Sequence, residues 1–239
     1  GCTVMLDGQG GDETLLGYER YFPAFLLSTS FLTAIREFFY IVRNSNLSIL
    51  TLFGYLFYFP IASVRAFYIK RKFSFIEKEC FSDAGWVRKI SETYLSLYKL
   101  QKIEIFHTQL PHLLRYEDKN SMWNSIEARL PFLDYRLLEH ALLVPPSLKI
   151  KEGWTKYILR LSVDVLLPKS VTWRKNKLGF ESPQSTWVSA IRSEMIAEIG
   201  SSKLISSLCK DGTDFSGVDI KLLWRLFSIA KWEKCFDVS

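Results

Sequence analysis

The chain has 239 residues, of which 48% are hydrophobic and 15% aromatic. That supplies a sizeable packed core and excludes a disordered, solvating polypeptide. The formal net charge of +6 is mildly basic and suits a polyphosphate ligand as well as a nucleic acid.

The chain opens at Gly1 on an apolar run, Thr3-Val4-Met5-Leu6. No charged n-region or small-residue cleavage site precedes the run, so it does not read as a signal peptide. A domain rarely starts in mid-strand, and we expect a truncated chain. Residues 3–6 read as a short buried strand followed by glycines. Residues 12–28 read as helix. Residues 31–100 are aromatic-rich and mostly helical by pattern, with breaks at Asn44-Ser45-Asn46 and Pro60. Within them Leu47–Ala62 is apolar enough to raise a membrane span. It carries Ser48 and Thr51, breaks at Pro60 and meets Arg65, which predicts a buried or interfacial helix pair and no membrane partner. Residues 113–127 read as a helix. The next helix, 135–143, is opened by Asp134 as N-cap and closed by Pro145-Pro146. A third covers 154–166 and ends before Pro168. Residues 171–183 read as a loop, and further helices are expected over 184–199 and 219–235.

Cys2, Cys80, Cys209 and Cys235 show no C-x-x-C spacing, and His107, His112 and His140 show no zinc-ligand spacing. The expectation is a reducing, cytoplasmic setting without a transition metal. The basic runs, Lys70-Arg71-Lys72 and Arg174-Lys175 with Lys177, are short enough to be solvated faces, and no nucleic-acid motif accompanies them.

The first chemical signal is Leu6-Asp7-Gly8-Gln9-Gly10-Gly11-Asp12-Glu13. A glycine turn between strand and helix lets a ligand approach the backbone and points free N–H groups at it, which favours phosphate. Asp12 is placed to hold Mg2+ against phosphate oxygens. The structural alternative is a tight turn whose two acids complement a helix N-terminus. The run matches neither G-x-G-x-x-G nor G-x-x-x-x-G-K-[ST].

Three ordered blocks carry a resemblance. They are Val4 to Glu13 with Gly17-Tyr18, Leu114-Arg115-Tyr116-Glu117-Asp118-Lys119-Asn120-Ser121-Met122 continuing through Ile126 to Asp134, and Gly153 to Arg160 continuing through Leu167-Pro168 to Phe180. Together they resemble the synthetase domain of the asparagine synthase (glutamine-hydrolysing) family. The resemblance implies an adenine-nucleotide α-hydrolase-like (ATP pyrophosphatase) α/β fold, with residues 1–239 as its C-terminal portion. Such a portion would be predominantly helical, with one short buried strand. It implies a ligase that uses ATP and Mg2+ to join aspartate to glutamine-derived ammonia through β-aspartyl-AMP. The Asp7-Gly8 backbone would contact the nucleotide. Asp12 would hold Mg2+ on pyrophosphate, and Lys177 would be the catalytic cation, with Lys175 the alternative. Gln9 stands where many members have a Glu credited with making and breaking the acyl-adenylate. Asp7 stands where many have Ser. Asp118, Glu127 and Arg129 would shape the site from behind. Glu127 and Arg129, two apart, would not share a helix face and are expected to pair with other segments. Arg115 and Asp118 read as a surface pair.

The family's Ser-Gly-Gly-x-Asp-Ser pyrophosphate loop does not occur in this sequence, and neither does a glutaminase domain. These residues alone are therefore expected to have little or no synthetase activity. Two other readings stand beside the ligase: a degenerate non-enzymatic subunit or scaffold, and a related acyl-adenylating cyclase that closes β-lactam or peptide rings. A homo-oligomer is compatible with either.

Overall fold

The computed structural model describes residues 2–81, 85–175 and 182–238. It is mostly helical with one short parallel sheet. The chain divides into two compact units: residues up to 65 together with those from 85 to 175, and residues 66–81 together with those from 182 on.

The first unit holds the sheet. Strand β1 (Val4–Leu6) runs parallel to β2 (Glu127–Arg129), with Val4 opposite Glu127, Met5 opposite Ala128 and Leu6 opposite Arg129. Two sequence expectations change here. There are two strands, and β1 is exposed, Leu6 to 71%. A two-stranded ribbon brings no packed layer to either face, so apolar strand residues stay open despite their pattern. The helix expected over 113–127 is Gln109–Trp123. It closes at Asn124 and Ser125, the latter at φ 55°, and the chain then turns into β2.

Other breaks follow local chemistry. The helical stretch 12–28 splits into a one-turn helix, Gly11–Thr14, and the helix Tyr21–Leu27, with Leu16 in the left-handed region between them. The breaks at Asn44-Ser45-Asn46 and Pro60 fall as expected, giving helices Phe31–Asn44, Ile49–Tyr58 and Ala62–Lys72. Ser48 caps the second of these by accepting the Thr51 N–H. Asp134 caps Tyr135–Leu143 by accepting the Arg136 N–H. The expected helix 154–166 contracts to Tyr157–Val163, and a turn of helix, Lys169–Thr172, runs two residues into the loop expected over 171–183.

The core of this unit is built on Leu16, Tyr21, Phe22, Ile41, Leu52 and Leu100, all essentially inaccessible to solvent. A part-buried ion pair adjoins it. Arg20 donates to both oxygens of Glu104 at 2.9 and 3.0 Å, and the Tyr21 hydroxyl donates to the same carboxylate. The bidentate geometry and the phenol satisfy a charge that would otherwise be costly to bury.

The second unit has its own core, from Val188, Met195, Ile199, Ile205 and Leu223. The region 184–199 forms two helices, Gln184–Ala190 and Arg192–Ser201, meeting at Ile191. Asp219 caps Ile220–Phe236. Phe73 and Phe75 pack on this core, and an isolated bridge ties Ile76 to Cys209. All four cysteines carry free thiols.

Candidate functional site

The site lies in the first unit, at the C-terminal end of β1. Asp7 extends the parallel ladder by one bond, its N–H donating to the Arg129 carbonyl at 3.0 Å. The chain then doubles back, with the Gly11 N–H on the Gly8 carbonyl at 3.3 Å. Gly8 has open space where a Cβ would stand, so its backbone is reachable by a ligand. Gly10 sits at φ 84°, and a Cβ there would lie 2.2 Å from Leu133. A Cβ on Gly11 would press on Phe132 at 3.3 Å. The Pro131-Phe132-Leu133 segment is therefore the floor on which the glycine turn rests, which joins the first and second sequence blocks physically.

Asp12 enters the one-turn helix and forms an ion pair with Lys156, Nζ to Oδ1 at 2.9 Å. Both side chains keep some contact with solvent, 27% for the lysine and 20% for the acid. Gly17 makes the approach feasible. Its N–H donates to the Asp12 carbonyl at 2.7 Å. A Cβ on it would fall 2.0 Å from Asp12 Oδ1 and 2.3 Å from Lys156 Cε. Lys156 itself has φ 52°, as does Glu152, and Gly153 has φ 72°. Three left-handed residues within five mark a segment the fold holds in place. The holding groups are Glu37, which accepts the Gly153 N–H at 3.1 Å, and Asn44, which donates to the Glu152 carbonyl at 2.9 Å.

The helix behind Asp12 is braced from below. Gln101 donates to the carbonyls of Glu13 and Thr14 at 3.0 and 2.8 Å, and its own Oε1 accepts from Lys149 at 3.0 Å. Lys149 is fully buried, and burial pushes its pKa down to about 8. Glu13, also buried, accepts the Tyr18 hydroxyl at 2.6 Å. Burial, then this carboxylate, drives the Tyr18 pKa far up.

On the other side of the turn, Glu117 of Gln109–Trp123 faces Asp7. Both Glu117 oxygens are shut off from solvent without a conventional hydrogen bond. Burial first, and the Asp7 carboxyl second, raise its pKa to about 7.

Of the residues named from sequence, Asp7, Gly8, Gln9 and Asp12 share this turn, with Gln9 half-buried. On β2, Arg129 stands opposite Leu6, one ladder position before the turn, and Glu127 stands opposite Val4, three positions before it. Their side chains pair with each other, Nε to Oε1 at 2.9 Å, and among the described residues no ion pair joins either to another segment. The reason is the change of element: in a strand, residues two apart point to the same face. Asp118 is exposed one residue beyond Glu117, and no ion pair among the described residues links it to Arg115. Lys177 lies outside the described residues. The chain approaching it is anchored: Trp173 packs on Trp154 and Tyr157 at 5.4 and 6.0 Å between ring centres. Lys175, the alternative cation, donates its Nζ–H to the Arg43 carbonyl at 2.5 Å. Sequence reasoning missed Lys156 and Glu117 as site residues, although both stand inside the blocks that carried the resemblance. Among the described residues no cluster of three or more metal-ligating side chains occurs.

The site thus defines a helix-rich chain with an acid–lysine pair on a glycine turn at the C-terminal end of a parallel strand. The sequence model of the asparagine synthase family matches residues 1–230, and the chain belongs to that family. It is similar to asparagine synthetase [glutamine-hydrolyzing] 1 of Bacillus subtilis (strain 168), 37% identical over 109 residues, which cover 46% of this chain and 17% of the relative. The Gallus gallus asparagine synthetase is 36% identical over 81 residues, 31% of this chain and 14% of that protein. Amidase chyE of Penicillium rubens is 33% identical over 107 residues, 41% and 16% of the two chains. The aligned stretches therefore span under a fifth of the length of these relatives. No solved structure matches the chain.

Proposed function

We propose that the glycine turn is the pyrophosphate end of an ATP site in an amide ligase that converts aspartate to asparagine. The surrounding fold would be the adenine-nucleotide α-hydrolase-like one. The observation that carries this is the Asp12–Lys156 pair, partly solvent-accessible and held four residues after the open backbone of Gly8 in the same turn. One carboxylate next to a phosphate site is the donor set Mg2+ takes when substrate phosphates complete its shell, so the residues fit that ion. When bound, the ion would neutralise charge on the leaving pyrophosphate. Asp12 would hold it, releasing Lys156 to the phosphate oxygens.

In the reaction an aspartate side-chain oxygen forms a bond to the α-phosphorus, and the bond to the β-phosphate oxygen breaks. Ammonia then attacks the acyl carbon, and AMP departs. The chain's task is to bring two anions together, which Lys156 and, from the third block, Lys177 would serve electrostatically. Asp7 and Gly8 would meet the nucleotide through the backbone. The similarity to proteins named amidases, together with Gln9 in place of a glutamate, supports a second reading in which another carboxylate is adenylated.

The test is aspartate-dependent exchange of pyrophosphate into ATP by the native polypeptide. Lys156→Met is expected to lower kcat/KM for ATP by about a hundredfold, the order of one electrostatic transition-state contact. Wild-type exchange unchanged by the substitution would remove Lys156 from the site. Exchange with another carboxylate but none with aspartate would select the second reading. These residues without a Ser-Gly-Gly-x-Asp-Ser loop are expected to give no exchange alone.

A further inference from the structure

Helices Phe31–Asn44 and Ile49–Tyr58 each turn one side onto the core of the first unit and leave the other bare. Phe31, Leu32, Phe39, Leu50, Phe53 and Phe57 are exposed, from 48% for Phe53 to 83% for Leu50. Phe39 meets Phe38 at 5.9 Å, and Phe38 meets Phe53 at 5.1 Å, so the rings of the two helices form one continuous surface. An apolar surface of this extent marks an interaction site.

The charges identify the occupant. Ile49–Tyr58 carries no charged residue. In Phe31–Asn44 the one acid, Glu37, is buried and engaged by the Gly153 N–H and by Arg36 at 3.5 Å. The exposed charges on that helix are Arg36 and Arg43. Each stands four residues after an exposed apolar side chain, Leu32 and Phe39, and so lies on the same stripe. Arginine lays its stem along apolar surface and lifts the guanidinium clear of it, the habit of residues at a lipid–water boundary. Bulky apolar groups with arginines and no exposed carboxylate complement an anionic headgroup layer. A protein partner of ordinary composition would instead call for a rim of mixed donors and acceptors. Among the described residues no single helix is long and apolar enough to cross a membrane; Ile49–Tyr58 and Ala62–Lys72 together reach that length and apolarity but are bent by 103° at Pro60, a shape that suits a helix lying at the interface.

We propose that this two-helix face docks the chain on an anionic lipid surface. The probe is flotation of the full chain with vesicles of phosphatidylcholine, with and without phosphatidylglycerol. The chain is expected to float with the phosphatidylglycerol vesicles. Phe39→Glu and Leu50→Glu are each expected to weaken partitioning about tenfold, the loss of one large apolar side chain from the interface. Changing both Arg36 and Arg43 to Glu should abolish the preference for anionic vesicles and its sensitivity to salt. All four side chains are exposed, and unchanged melting temperatures would confirm that the variants fold. Failure to float on anionic vesicles overturns the proposal, as does equal flotation of wild type and Leu50→Glu. A dimer that Leu50→Glu dissociates, without vesicle binding, would assign the face to a second copy.

Discussion

Glu117 is held with both oxygens away from water and a second carboxyl beside it, and its pKa rises from 4.5 to about 7. A carboxyl whose folded-state pKa is raised stabilises the fold while protonated. That contribution is fully present below the unfolded value and is lost as pH rises through the folded one. Urea denaturation should therefore show wild type losing stability relative to Glu117→Gln between about pH 4.5 and pH 7. Parallel curves for the two proteins across that range would mean that the acid is solvated. At this scale the sequence was readable where residues adjoin. Asp7, Gly8, Gln9 and Asp12 form one motif, and the turn brings them together by covalent connection alone. Lys156 was not readable, because its distance from Asp12 depends on the tertiary path of the Glu152–Lys156 segment and on the missing side chain of Gly17.

The one-turn helix Gly11–Thr14 is too short to persist by its own hydrogen bonds. Its order is imposed by the Leu133 contact on one side and by Gln101 on the other. Gln101→Leu would leave two buried carbonyls and the Lys149 amine without partners. A loss on the order of 3 kcal/mol in chemical denaturation is expected. Gln101→Glu keeps an acceptor for Lys149 but sets an oxygen against the two carbonyls, and it should not recover the loss; full stability in that variant would show that the two donated bonds contribute nothing. Helix ends were legible where a side chain enforces them, as with the Ser48 and Asp134 caps. Strand β2 was not. Glu-Ala-Arg is three residues long with no β-branched or aromatic side chain, and only pairing with β1 makes it a strand.

At the scale of the molecule, two cores form from residues that do not intermix: one around Leu16 and Leu100, the other around Met195 and Leu223. Leu223→Ala should cost the second about 2–5 kcal/mol, read as faster hydrogen exchange along Ile220–Phe236 with protection in Leu97–Phe106 unchanged. The division was not visible in composition, since the second core recruits Phe73 and Phe75 from far upstream. The parallel pairing of β1 with β2 has a further consequence. Roughly 120 residues separate the strands, and closing a loop of that length costs about 4 kcal/mol in chain entropy. The packed helices between them share that cost, so the Asp7 N–H bond to the Arg129 carbonyl depends on their staying in place. If the glycine turn holds nucleotide as proposed, binding would depend on this long-range closure, and nucleotide affinity would report whether the two strands have paired.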